Sequence, residues 1–351
     1  MKLRHALRTL TPYVPGKMKT GAVKLASNEN PLGPSPLALD RLRRGLSQIH
    51  RYPDGDCTAL KTVLSERYSL PPDRFIIGNG SDEILLFIAG AYVDPGDTVL
   101  TSEATFSEYT FAASLFAGRV DTVPMREGRF DLTTMREHLT PAPRVIFLCN
   151  PNNPTGTYIN ANDLTRFLDD VDEKTLVVLD EAYGEYADAR DYPDSLRLAR
   201  TRPNLLVLRT FSKIFGLAGL RVGYGIGAAD TINDLNRARE PFNVNRLAQE
   251  AAAAAARDDA FIQRSREMNR EGKEYLQTEL DRLGLFRFPT QTNFILFRVK
   301  TDAQELFLRL MDLGVTVRPL HLFAEQYIRV TIGTMDQNRL FIDCLRQALD
   351  A

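Results

Sequence analysis

The sequence predicts an α/β fold: a mostly parallel seven-stranded sheet in a large domain, with a small α+β domain beside it. Three observations lead there. Short β-branched runs alternate with helix-patterned stretches through the middle of the chain. Several of those runs are apolar throughout, as in a parallel strand covered on both faces. After about Asp230 the pattern turns helical and closes on a shorter mixed segment. At 351 residues one core is usually too few, which agrees with two domains.

In chain order, the predicted strands are Arg74 to Gly78, Thr98 to Thr101, Arg119 to Val123, Val145 to Cys149, Leu176 to Leu179, Leu205 to Leu208 and Gly223 to Ile226. Helix periodicity fills Asp82 to Tyr92, Phe106 to Ala117, Leu132 to His138 and Ala161 to Asp169. A long helical stretch then runs through the alanines Ala251 to Ala256 and on to Leu283; Ala has the highest helix propensity and permits close packing. The last part reads as strand Asn293 to Val299, a helix near Ala303 to Leu313, strands Val315 to Arg318 and Tyr327 to Ile332, and a terminal helix. There is no internal repeat and no Gly/Ser linker, so a helix rather than a flexible tether is expected between the domains.

Composition excludes several classes. Lys and Arg number 44 against 45 Asp and Glu, a net charge of -1, which does not suit a protein that binds nucleic acid through a basic face. Hydrophobic residues at 44% and charged residues at 25% are ordinary globular usage. No apolar run approaches the roughly 20 residues of a membrane helix. Cys57, Cys149 and Cys344 form no CxxC and are odd in number, which suits free thiols in a reducing, cytoplasmic setting. The four histidines show no metal-ligand spacing, so no metal is expected.

The chemistry lies at the strand ends, where open α/β sheets bind ligands. Gly78-Asn-Gly-Ser-Asp-Glu83 opens a helix, with Ser81 as N-cap and backbone N–H groups free to meet an anion. Asn150-Pro-Asn-Asn-Pro-Thr-Gly156 is a rigid turn presenting the Asn153 amide. Asp180, ending an apolar strand, needs a positive partner. Arg209-Thr-Phe-Ser-Lys213 brings Lys213 beside Thr210 and Ser212, and Arg221 precedes the next strand. A phosphate suits the helix start, Ser212 and Arg221; a protonated ring nitrogen suits Asp180; an aldehyde would condense with Lys213. Pyridoxal 5'-phosphate has all three groups. Gly78-Asn-Gly80 and Gly223-Tyr-Gly-Ile-Gly227 imitate dinucleotide fingerprints, but neither completes GxGxxG.

Asn153-Pro-Thr-Gly156, Asp180-Glu-Ala-Tyr183 and Ser212-Lys213 followed by Gly219-Leu-Arg-Val-Gly-Tyr224 resemble the signature of fold-type I aminotransferases. The finer pattern is similar to the histidinol-phosphate aminotransferase family. It comprises Leu10 to Lys17, Leu25 to Gly33, Arg51-Tyr-Pro-Asp54, Pro241 to Asn245 and Tyr327 to Thr334. The resemblance implies a fold-type I PLP-transferase with Lys213 holding the cofactor and Asp180 on its ring nitrogen. Asn153 and Tyr183 would bond the ring hydroxyl oxygen, and Tyr109 would stack on the ring. The phosphate would be held by Ser81, Asp82, Glu83, Ser212 and Arg221, with Thr210 close by.

Tyr52 would reach the cofactor phosphate of a neighbouring subunit, which implies a homodimer. Tyr13, Asn28, Arg318 and Arg329 would bind substrate, the arginines taking the phosphate of histidinol phosphate or a carboxylate of glutamate. The implied reaction converts histidinol phosphate and 2-oxoglutarate to imidazole acetol phosphate and glutamate, in histidine biosynthesis. The alternatives are an aromatic amino-acid aminotransferase and a lyase like threonine-phosphate decarboxylase. Two departures bear on the substrate end: Leu320 to Gln326 lacks the family's usual glycine, and Phe106 stands where Tyr is common. A basic N-terminus superficially like a transit peptide contains Tyr13, so it is expected to stay on the enzyme. The expected domains are 35–245, and 1–34 with 246–351, a helix at about 246–283 linking them.

Overall fold

A computed structural model describes residues 2–8, 10 and 19–350; Tyr13 lies outside the described residues. Seven strands form the main sheet: β1 (Phe75–Gly78), β2 (Thr98–Ser102), β3 (Arg119–Val123), β4 (Val145–Cys149), β5 (Leu176–Asp180), β6 (Leu205–Thr210) and β7 (Gly223–Ile226), in spatial order β1-β7-β6-β5-β4-β2-β3. Strands β2 to β6 pair in parallel, and β7 alone runs antiparallel, against both β1 and β6. β4 and β5 are buried along their whole length, which is why they read as uninterrupted apolar runs.

The reversal of β7 matters for function. Its first residue, Gly223, is in register with the last residues of both neighbours, Gly78 and Thr210. The segment entering β7 therefore arrives at the edge where the parallel strands end, and Arg221 joins the other strand-end residues there.

Two large apolar clusters are formed. The larger joins the sheet to its covering helices and includes Phe75, Val145, Phe147, Val178 and Leu206. The smaller gathers Leu25 from near the N-terminus with Leu276, Phe297, Leu306, Ile328 and Phe341. Its sheet comprises β8 (Phe294–Val299), β9 (Arg318–Leu322) and β10 (Glu325–Thr331), all antiparallel in the order β8-β10-β9. Val23–Lys24 pairs in parallel with Val315–Thr316, which ties the N-terminal segment to this unit.

Two sequence expectations are corrected. The helix expected at about 246–283 is two helices, Arg246–Ala255 and Asp259–Arg282. Asp258 starts the second by accepting from Phe261 N at 3.1 Å, and it also accepts from Ser35 Oγ at 2.5 Å. The first packs Ala248, Ala251, Ala252 and Ala255 into the larger cluster, whereas the second runs from Ile262 in that cluster to Leu276 and Leu280 in the smaller. Likewise, Val315 to Arg318 is not one strand. It leaves its pairing with Val23–Lys24 after Thr316, and from Arg318 it enters a hairpin whose two-residue turn is Phe323-Ala324.

Candidate active site

The carboxyl edge of the sheet and the β9–β10 hairpin enclose a cavity of about 950 Å³. At its floor lies Asp180, the last residue of β5 and 2% exposed. Oδ2 accepts from Tyr109 Oη at 2.8 Å and Oδ1 from Ala182 N at 3.0 Å. Both donors are neutral. Burial pushes its pKa from the ordinary 3.8 up to about 6, against the lowering effect of these two bonds. A carboxylate placed this way favours a cationic ligand.

Lys213 stands above it on the loop after β6, and its Nζ donates to Ser27 O at 3.3 Å and lies 5.5 Å from the centre of the Tyr183 ring. Burial first, then the Arg329 guanidinium, lower its pKa from 10.5 to about 8. The neutral, nucleophilic amine is thus populated near physiological pH.

An anion cradle forms where β1 and β7 meet. Gly80, at φ +83°, is the N-cap of the Ser81–Tyr92 helix, so Ser81 is the first helical residue and not the cap. A Cβ on Gly80 would meet Arg221 Nη2 at 2.6 Å, and one on Gly223 would meet Ser81 N at 2.5 Å. The glycines of the two incomplete dinucleotide patterns are what let this helix start and Arg221 come together. Arg221 donates to Ser212 Oγ at 3.3 Å and to Asp82 Oδ2 at 3.0 Å, and Thr210 Oγ1 accepts from Ser212 N at 3.1 Å. Helix N-terminus, hydroxyls and guanidinium converge as a phosphate requires.

On the opposite wall Arg318 and Arg329 are direct cross-strand partners. Like charges so placed destabilise a hairpin, and both line the cavity, where an anion would offset the repulsion. Arg329 donates to Asn153 Oδ1 at 2.5 Å and to Ala26 O at 3.0 Å. The first bond orients the Asn153 amide so that its NH2 is the end left for a ligand. Asn28, at φ +57°, donates from Nδ2 to Tyr183 Oη at 2.9 Å.

The structure thus brings Ser81, Asp82, Asn153, Asp180, Tyr183, Thr210, Ser212, Lys213, Arg221, Asn28, Arg318 and Arg329 to one cavity. Three expected residues stand elsewhere. Glu83 turns away, because its carboxylate is taken up by Asn79 N at 2.7 Å and Asn243 Nδ2 at 2.6 Å. Tyr52 is 79% exposed and stacks on Phe242 at 4.9 Å, outside this chain's cavity. Tyr109 is fully buried and does not line the cavity; its ring lies flat on Phe147 at 4.8 Å and its hydroxyl serves Asp180. The aromatic side chain lining the cavity there is Phe106, edge-on to Tyr109. The helix begins at Glu108 rather than Phe106, so Phe106 stays on the loop and Tyr109 falls on the inner face.

Sequence reasoning also missed Thr105, Ser107 and Glu108 beside the cradle, and Lys24, Gln304 and Phe307 at the hairpin side. The strand-end rule pointed to the β2 end, which supplies the first group; nothing local marked the second.

Against known families, residues 20–345 match the model for aminotransferase class I and II. The chain belongs to the class I and II aminotransferases. This aminotransferase is 49% identical to a histidinol-phosphate aminotransferase of Moorella thermoacetica, over 99% of this chain and 93% of that protein. It is 43% identical to one of Symbiobacterium thermophilum, over 99% and 98%. Among solved structures, the histidinol-phosphate aminotransferase of Sinorhizobium meliloti, in complex with pyridoxal-5'-phosphate, superposes with a TM-score of 0.92 at 27% identity, covering 99% of this chain and 98% of that one. The L-threonine-O-3-phosphate decarboxylase of Porphyromonas gingivalis gives 0.83 at 26% identity, over 94% and 100%. The aminotransferase has the fold-type I architecture expected from its motifs.

Proposed function

We propose that the chain is a pyridoxal 5'-phosphate-dependent histidinol-phosphate aminotransferase of histidine biosynthesis, converting L-histidinol phosphate and 2-oxoglutarate to imidazole acetol phosphate and glutamate. The observation that carries it is the in-register pair Arg318 and Arg329 facing Lys213 and Asp180 across one cavity. A single fork-bearing anion site can receive a phosphate in one half-reaction and a carboxylate in the other. The relatives' names point the same way.

The residues fit the cofactor group by group. Asp180, buried and met by neutral donors alone among the described residues, would meet the protonated ring nitrogen. Ser81, Ser212, Thr210 and Arg221 would hold the phosphate, with Asp82 fixing Arg221. Asn153 and Tyr183 would bond the ring hydroxyl oxygen, and Phe106 would cover a ring face. When bound, the cofactor supplies an electron-withdrawing ring that lowers the acidity barrier at the substrate carbon. Lys213 Nζ takes the proton from that carbon and returns it, a role for which a pKa of about 8 suits an amine. Arg329 holds the substrate anion and, through Asn153, keeps an amide aimed at the ring oxygen. Asn28 fixes the Tyr183 hydroxyl. Tyr13 is assigned to the substrate on the family motif.

The proposed assembly is a cytoplasmic homodimer in which Tyr52 reaches the partner's cradle; the exposed Tyr52–Phe242 stack and the exposed Leu37, Leu46 and Ile49 are an apolar surface such an interface would cover. The proposed domains, 35–245 and 1–34 with 246–351, are supported by the two apolar clusters, although Arg246–Ala255 packs on the larger.

The test is a panel of amines added one at a time to the cofactor-loaded protein, with the cofactor's absorbance recorded. Histidinol phosphate and glutamate should both convert it to the amine form. Conversion by phenylalanine but not by histidinol phosphate overturns the substrate, and carbon dioxide release from threonine phosphate without any oxo acid overturns the reaction.

A further inference from the structure

We propose that Lys24 sets specificity between the two amines: its ammonium leaves Glu29 to receive the second carboxylate of glutamate or 2-oxoglutarate, and stays on Glu29 when histidinol phosphate is bound. The inference rests on the two-substrate reading above. The fork of Arg318 and Arg329 accounts for one anion of each substrate. Glutamate carries a second, where histidinol phosphate has an imidazole ring.

The course of the chain carries it. Residues 24–29 run along one wall of the cavity, and alternate residues serve it: Lys24, Ala26 and Asn28 line the cavity, whereas Leu25 is buried in the smaller apolar cluster. Ala26 O accepts from Arg329 at 3.0 Å and Ser27 O from Lys213 Nζ at 3.3 Å, so the same stretch passes the anion fork and the reacting amine. Two residues back from Ala26, about 7 Å along an extended chain, stands Lys24. Its place is fixed from the other side as well, since Lys24 is in register with Thr316 and Leu25 N donates to Thr316 O at 2.7 Å. That offset from the fork suits a short carbon chain with a carboxylate at each end.

Among the described residues, the cations lining the cavity are Lys24, Lys213, Arg221, Arg318 and Arg329. Lys213 reacts, Arg221 is held by Asp82 in the phosphate cradle, and the cross-strand partners Arg318 and Arg329 converge on one anion. Lys24 is left for the second carboxylate. Its ammonium lies 2.7 Å from Glu29 Oε1, and the two side chains are 33% and 43% exposed. A solvated pair of this kind adds little stability, and a flexible stem with a rotatable ammonium can leave it. The imidazole arm needs no cation. Phe307, Leu320 and Leu322 line the hairpin side and offer a ring apolar contact, while an unpaired cation would repel an imidazole that takes up a proton near neutral pH. A lysine that returns to Glu29 removes that repulsion, so one arm of the site admits either an anion or a ring.

The experiment measures half-reaction kcat/KM for glutamate and for histidinol phosphate on the cofactor-loaded protein, and by calorimetry the affinity for glutarate, a dicarboxylate with no amine to react. Lys24→Met keeps the stem and removes the charge; the ratio of glutamate to histidinol phosphate and the glutarate affinity should both fall by about tenfold or more. Glu29→Gln releases Lys24 and should raise the ratio by about threefold. Burial and then Arg329 lower the Lys213 pKa and the Glu29 charge opposes them, an effect common to both amines that cancels in their ratio. Equal losses for both amines in Lys24→Met, or a ratio that collapses only in Arg318→Met, overturns the assignment. Should Lys24→Met fail to fold, Glu29→Gln decides, and a ratio that does not rise overturns it. Weakened glutarate binding by Lys24→Met, in a protein that converts glutamate but not histidinol phosphate, supports Lys24 and overturns the substrate proposed above.

Discussion

Replacing Asp180 by Asn should stabilise the cofactor-free protein while impairing cofactor binding. Asn matches the carboxyl in shape and can keep a bond to either Tyr109 or Ala182, but it carries no charge. In the folded chain the Asp180 pKa rises from the ordinary 3.8 to about 6. At 1.36 kcal/mol per pH unit, that difference corresponds to about 3 kcal/mol of destabilisation by the ionised form, so a gain of about 1–3 kcal/mol is expected from Asn at pH 7.5. Because the folded pKa is the higher one, the native state binds the proton more tightly than the unfolded chain. Wild-type stability therefore falls as pH rises between about 4 and 6, and the full penalty is present above that window. The advantage of Asn should shrink by about half at pH 5. Urea denaturation of the cofactor-free proteins at pH 5 and 7.5 measures both effects. A variant less stable than wild type at pH 7.5, or an advantage that does not shrink in acid, would refute the reasoning that an uncompensated buried charge sits at the cavity floor.

Lys213, with its pKa lowered to about 8, should react with aldehydes at a rate that rises with pH and levels off above about 9; a midpoint near 10.5 in borohydride-trapping rates would show an amine in water-like surroundings. Arg329→Lys keeps the charge but loses the fork that reaches Asn153 and Ala26 together. It should lower kcat/KM in both half-reactions by about two orders of magnitude, and single-turnover kinetics unchanged for glutamate and histidinol phosphate would remove it from the site. At the hairpin turn, Phe323 and Ala324 both hold left-handed φ, +52° and +57°. Ala324→Gly should therefore raise stability by about 0.5–1 kcal/mol, read from the denaturation midpoint.

Much of the site was legible because strand ends in a parallel sheet are a place that can be found without coordinates. Asp180, Lys213 and the Ser81 helix start each follow an apolar run, and the sheet's geometry brings such positions to one edge. Phe106 and Tyr109 show where that logic stops. They are three residues apart, and which of them faces a cavity depends on where the helix begins, a matter of one or two residues that periodicity does not resolve. Arg209 belongs to the same class. It reads as part of a polar strand-end segment, yet β6 extends to Thr210 and the half-buried Arg209 pairs with Glu181 at 2.7 Å and Glu185 at 3.4 Å.

The sequence by itself determined the fold class, the seven-stranded sheet and the inventory of reactive groups, because these depend on local periodicity and on residue chemistry. Tertiary structure decided the rest. The antiparallel course of β7 delivers Arg221 to the cradle, the hairpin register sets Arg318 beside Arg329, and burial makes Tyr109 a hydrogen-bond donor to Asp180 rather than a cavity wall. Each of these is a contact between segments distant in the chain, fixed by strand direction, register and helix phase, none of which is carried by the residues that meet.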